Sequence, residues 1–162
     1  MEPPKRIQPN NLADYLDVMS KSVFQSGTSW RVVDAKWPGT REAFRGFDQE
    51  TISRFTRAEQ DRLAEDTCII RNHCKIDAIV SNARRMLELE SSPCGFRGYL
   101  RSHGSFGLVK DLRKQFKFLG DMGAYLFLYV VGEDVLPHEE WAARRGIKPG
   151  PRSHRIVQPG LL

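Results

Sequence analysis

Apolar positions recur with a helical period along almost the whole chain. In NNLADYLDVMSKSVFQSG, Leu12, Tyr15, Leu16, Met19, Val23 and Phe24 fall at the steps of one helix face. Asn10 or Asn11 can cap the start of that helix, and Gly27 can end it. SWRVVDAKW (29–37) predicts a second helix, stopped by Pro38–Gly39. Asp48 is placed to cap QETISRF, and TRAE (56–59) is a capping-box pattern before a helix reaching Asp66. KIDAIVSNARRMLELE (75–90) carries Ile76, Ile79, Val80, Ala83, Met86 and Leu87 on one side. SSPCGFRGYLRSHGS (91–105) is rich in turn formers and predicts irregular structure. FGLVKDLRKQF predicts a basic helix, and FKFLG (116–120) a turn. DMGAYLFLYVVG (121–132) is apolar on most faces, as a central core helix is. Residues 139–145 predict a last short helix. No long alternating β-branched run occurs, so the expected class is all-α, without internal repeats.

Composition narrows this picture. The chain has 162 residues, 40% of them hydrophobic, enough for one domain with a real core. The expected organisation is an N-terminal arm (1–10), one domain (11–146) and a Pro/Gly-rich, basic, flexible tail (147–162). No window approaches the roughly 18 apolar residues of a membrane span. MEPPKRIQPNN has no apolar segment of the kind a secretory signal needs. Three cysteines, Cys68, Cys74 and Cys94, do not make a disulfide framework and point to a reducing cytoplasm. No CxxC pair is present, so neither a metal site nor another cofactor is expected. Cys68 and Cys74 are expected to be small, buried packing residues. The net charge of +5 permits a polyanionic partner, nucleic acid above all.

One stretch carries more specific chemistry. RLAEDTCIIRNHCKIDAIVSNAR (62–84) predicts helix, short link, helix. A tight link of this kind aims backbone N–H groups and a helix N-terminus outward, which suits one DNA phosphate. Lys75 and Arg71 would add charge. The same pattern also fits an ordinary αα-turn with a solvated basic rim.

QSGTSW (25–30), REAFRGFD (41–48), IIRNHCKI with SNAR (69–84) and FKFLG (116–120) together resemble the 3-methyladenine DNA glycosylase I family, of the helix-hairpin-helix glycosylase superfamily. The resemblance spans about residues 12–132. It implies a helix-hairpin-helix DNA glycosylase-like helical bundle. It also implies an enzyme that flips an alkylated base out of double-stranded DNA and hydrolyses its N-glycosidic bond; a monomer is expected. On this resemblance Trp30 falls in the base pocket. Gln25, Ser26, Gly27 and Thr28 fall on the loop that approaches the gap. Ile70, Arg71, Asn72, His73, Cys74 and Lys75 fall on the phosphate-binding hairpin.

The chain also departs from the family. Ser22 stands where the family pocket carries a glutamate, and the N-terminal zinc segment is absent. Cys68 replaces the first glycine of the hairpin. In EDVLPHEEW (133–141), Glu139 and Glu140 stand seven and eight residues after Gly132, where other glycosylases of the superfamily keep a catalytic carboxylate. A carboxylate there can stabilise positive charge on the sugar or orient water. The alternative is a good helix start, with acids in the first turn and bases in the last. Trp30, Trp37, Tyr125 and Trp141 are the aromatics able to stack on an electron-poor base. Two functions stay open: an alkyl-purine glycosylase, or a degenerate glycosylase fold that binds DNA or a lesion without cleaving it.

Overall fold

A computed structural model describes residues 4–144. Nine α-helices and one 3-10 turn account for the regular structure of these residues. α1 (Leu12–Gln25) begins at Asn11, whose side chain accepts from the Asp14 N–H. Gly27, at φ 71°, follows its end. α2 (Trp30–Ala43) leads into a 3-10 turn at Arg45–Phe47. Asp48 caps α3 (Gln49–Ser53), and Thr56 with Glu59 forms the capping box of α4 (Arg57–Leu63). α5 (His73–Glu90), capped by Asn72, is the longest helix and packs against α1, α3, α4 and α6 (Gly95–Arg101). α7 (Ser105–Gln115) turns into α8 (Asp121–Val130), and α9 (His138–Arg144) closes the described chain. The expected tail lies outside the described residues.

Two local expectations fail, each for a physical reason. Pro38 does not stop the second helix, which continues to Ala43. Proline removes one backbone donor, but here it sits on the exposed side of the helix, over the exposed Asp34. Water can reach the carbonyl left without its N–H. The segment 91–105 is not irregular throughout, because it contains α6. Phe96 and Leu100, one turn apart, are both buried, and that tertiary burial overrides the turn-forming composition.

The core is continuous. Residues Ala124 to Tyr129 of α8 are all buried, which is why this helix reads as apolar on every face. Phe47 stacks on Trp37 at 5.4 Å and on Phe44 at 5.5 Å. Its φ of 59° would ordinarily cost a bulky residue about 1–3 kcal/mol; complete burial between two rings offsets it.

The arm is held in place. The Arg6 guanidinium donates to the carbonyls of Tyr129 and Glu133, each at 3.0 Å, and lies over the Tyr129 ring. The Ile7 N–H donates to the Val130 carbonyl at 2.7 Å. Residues 4–7 therefore lie across the C-terminal end of α8.

His73, at the start of α5, ties that helix to α4. Its ring nitrogens lie 2.9 Å from Asp61 and 3.2 Å from Asp77, with Arg57 beside both. The Asp61 hydrogen bond raises its pKa above the ordinary 6.5. A raised folded-state pKa gives stability that is complete below the ordinary value and is lost as pH rises through the folded one. Thermal melts of wild type and His73→Gln from mildly acidic to mildly alkaline pH should therefore differ most at the acidic end. A constant difference across that range would exclude the imidazolium as the source.

Candidate active site

The polar face of α1 lines a cavity. Asp14, Asp17, Val18, Lys21, Ser22 and Gln25 follow steps of three and four, so they share one side of the helix. Trp30, Asp34 and Arg41 of α2 face them, Leu126 and Val130 of α8 form an apolar wall, and Pro4, Lys5 and Ile7 close one side. The volume is about 530 Å³, within the range of small-molecule sites.

Its electrostatics are mixed, with three carboxylates and three cations among the lining residues. Asp17 is held from two sides. One oxygen accepts from Trp37 Nε1 at 2.9 Å, the other from Arg41 Nε at 2.6 Å. Its side chain is 20% exposed, against 60% for Asp34. Asp34 pairs with Lys21 at 2.7 Å. Asp14, Asp17, Lys21, Asp34 and Arg41 are the charged cavity-lining residues of α1 and α2 that sequence reasoning missed. The signal was present: Asp14, Asp17 and Lys21 keep the helical spacing of Ser22 and Gln25.

Trp30, Ser22 and Gln25 thus come together in one cavity. Ser26 and Gly27 are exposed and Thr28 is half-buried on the adjoining loop. Three other aromatics proposed for stacking do not line the cavity. Trp37 is buried against Phe47. Tyr125 and Trp141 stack on each other at 4.7 Å in the core, and the Tyr125 hydroxyl donates to the Leu136 carbonyl at 2.6 Å. Burial pushes the Tyr125 phenol up to about 12. All three rings belong to the buried core cluster.

Glu139 and Glu140 do not line the cavity either. Both are exposed in the first turn of α9. Glu140 pairs with Arg144 at 2.9 Å, one turn later. His138 lies 5.7 Å from the Tyr125 ring.

The 69–75 segment divides. Arg71 and Cys74 are exposed, Ile70 is half-buried, Asn72 caps α5, and His73 serves the α4–α5 contact. Lys75 corrects the expectation of a surface charge. It is 5% exposed. Its ammonium donates to the Phe24 carbonyl at 3.1 Å, to the Ser26 carbonyl, and toward the Thr28 hydroxyl at 3.4 Å. Burial lowers its pKa. Lys75 therefore fixes the Gln25–Thr28 loop. Cys68 and Cys74 are exposed rather than buried.

A tighter helix pair lies elsewhere. α7 and α8 are joined by only Phe116–Gly120, and α8 starts at Gly120 without a side-chain cap. Asn82 of α5 grips this turn. Its amide donates to the Lys117 carbonyl at 3.1 Å and accepts from the Lys117 N–H at 2.8 Å.

The described residues thus form an all-helical bundle in which Trp30 and three carboxylates line one cavity beside the Gln25–Thr28 loop. The chain belongs to the Methyladenine glycosylase family, which matches residues 10–106. It is similar to DNA-3-methyladenine glycosylase 1 of Escherichia coli K12, 30% identical over 130 residues, covering 67% of this chain and 70% of that protein. The DNA-3-methyladenine glycosylase of Haemophilus influenzae is 28% identical over 130 residues, with the same coverage. A crystal structure of 3-methyladenine DNA glycosylase I superposes with a TM-score of 0.69 at 27% identity, covering 78% of this chain and 81% of that one.

Proposed function

We propose that this protein is a monofunctional base-excision glycosylase that acts as a monomer on duplex DNA. It flips an N3- or N7-alkylated purine into the α1–α2–α8 cavity and hydrolyses its glycosidic bond to leave an abasic site. The observation that carries this reading is the convergence of Trp30, Ser22 and Gln25 on one base-sized cavity.

Each residue has a defined task. Trp30 offers an aromatic face to a cationic purine. The carboxylates on the α1–α2 wall favour positive charge, which starts on the alkylated base and passes to the sugar as the bond breaks. Asp17 is the best oriented of them, because Trp37 and Arg41 hold it. The cationic base takes the bonding pair and leaves as a neutral purine, so no strong general acid is required; water adds to the anomeric carbon and releases its extra proton to solvent. Ser22, shorter than a glutamate, leaves room for adducts larger than methyl.

The exposed placement of Glu139 and Glu140 favours the helix-start role. Glu139→Gln and Glu140→Gln are expected to keep the wild-type single-turnover rate. Glu140→Gln should lose only the roughly 0.3–0.5 kcal/mol of a surface i,i+4 pair. A collapse of the rate in either variant would move the chemistry to α9.

The activity is tested with duplexes carrying 3-methyladenine, 7-methylguanine or a bulkier N3 adduct, followed by alkaline cleavage of abasic sites. Strand breaks at the lesion support the reading. Tight lesion binding without breaks would favour a binding module, which the serine at position 22 also fits.

A further inference from the structure

Arg6, Arg97 and Arg101 converge on a second crevice, of about 620 Å³, at the N-terminal end of α1. Gln8 and Asn10 of the arm line it too, and its one carboxylate is Glu133, just past α8. None of these residues lines the base cavity; Ile7 alone borders both spaces. The crevice lies one helix length, about 21 Å, from the Gln25–Thr28 loop at the other end of α1.

The fold uses the three arginines unequally. Arg6 donates to the Tyr129 and Glu133 carbonyls, which covers the negative end of α8. Arg97 donates to the Tyr15 hydroxyl at 3.2 Å and to the Pro9 carbonyl at 3.0 Å. Each of these bonds takes one N–H of a guanidinium that carries five. Arg101 is tied down less. Its side chain is 64% exposed and lies 3.7 Å from the Glu133 carboxylate, beyond hydrogen-bond length. Arg97 and Arg101 stand four residues apart on one face of α6, a like-charge spacing that disfavours a helix. Three guanidiniums share one carboxylate here, so two positive charges stay unbalanced. Guanidinium forks arriving from two elements, with side-chain amides between them, suit the oxygens of a phosphate.

We propose that this crevice binds a phosphate group, carried by a free mononucleotide or as inorganic phosphate, between Arg97 and Arg101 of α6 and Arg6 of the arm. The bound anion joins the arm to α6 as Arg6 already joins it to α8. It thereby braces the segment that closes one side of the base cavity. The glycosylase reading stands or falls separately, on excision.

Isothermal titration calorimetry of the full chain with inorganic phosphate and with adenosine monophosphate, ionic strength held by chloride, tests this. The expected Kd is about 1 mM. At ten times the Kd, the melting temperature should rise by roughly 3–6 °C over the chloride control. Arg101→Gln changes an exposed side chain, so it should fold as wild type does. Its affinity for phosphate should fall about ten-fold, the size of one lost charged hydrogen bond. Glu133→Gln should bind about three-fold more tightly, because the competing carboxylate is gone while the backbone carbonyl still holds Arg6. A purely structural Arg101–Glu133 pair would not shift affinity in opposite directions. Tighter binding of the mononucleotide supports the proposal and names a nucleotide as the source; equal affinity supports it and names the phosphate group alone. No saturable binding of either anion overturns it. Wild-type phosphate affinity in both variants overturns it by placing the anion elsewhere. Duplex affinity lost in Arg101→Gln, with phosphate affinity retained, overturns it by giving the arginines to the DNA backbone.

Discussion

Trp30→Ala is expected to lose excision by roughly 10–100-fold while keeping its fold. Trp30 is the first residue of α2 and lines the cavity half-buried; it is not part of the buried core cluster. Its removal therefore takes little from packing. What it takes is an aromatic face for an electron-poor base. Stacking contributes about 1–3 kcal/mol per base, and a desolvated cation–π contact about 2 kcal/mol. Trp30→Phe should recover most of the rate, because the face is retained and only area is lost. Single-turnover excision on 3-methyladenine duplex, with melting temperature as the control, measures both. An unchanged rate in Trp30→Ala would mean that the base is seated elsewhere.

Lys75→Met should destabilise the protein by about 2–3 kcal/mol and slow excision beyond what stability explains. Methionine is unbranched and only one heavy atom shorter than lysine, but supplies no donor. The carbonyls of Phe24 and Ser26 then lose their shared partner, and a buried polar group left unmatched costs about 1–3 kcal/mol. For a chain of this size the melting temperature should fall by roughly 4–12 °C. The functional effect follows from what those carbonyls belong to. They sit at the end of α1 and in the Gln25–Thr28 loop, between the cavity and α5. Loosening them should raise KM more than it lowers kcat at temperatures where the variant is fully folded. A variant that melts lower but retains wild-type kinetics would reduce Lys75 to a helix-end brace.

Lys75, Asn82 and Asp17 share a pattern. Each is a polar residue on a helix that the hydrophobic period leaves without a task, and each ties distant segments together. Lys75 holds the glycine loop, and Asn82 holds the Phe116–Gly120 turn. Asp17 joins Trp37, a core ring, to Arg41, a cavity residue. The cavity is thus braced by Lys75 of α5 through the Gln25–Thr28 loop and by Trp37 and Arg41 of α2 through Asp17, which is how a site on short helices and turns can be kept in one geometry.

Much of this was legible in the chain itself. The 3.6-residue period of α1 and α5 fixed which faces are buried, and the unbroken apolar run of α8 marked it as central, because burial of apolar area is the main driving force of folding and needs no knowledge of partners. Asn11, Asp48 and the Thr56–Glu59 box were readable because caps act within four residues. The family resemblance carried by QSGTSW, REAFRGFD, IIRNHCKI, SNAR and FKFLG implied a pocket position for Trp30 and Ser22 and a neighbouring loop position for Gln25, and all three line one cavity. Other features depended on distant neighbours. Pro38 inside α2 and the helix at 95–101 followed from which side met solvent and which met the core. Lys75 looks like surface charge until Phe24 and Ser26, some fifty positions away, are placed beside it. Glu139 and Glu140 have the spacing of a catalytic acid, yet they stand at the surface while Asp17 and Asp34 stand in the cavity. For α1 and α5, local pattern determines where the helix runs and which of its faces is apolar. Only the packing of that helix against its partners decides which polar residues become a site, because burial and hydrogen-bond partners belong to the whole fold.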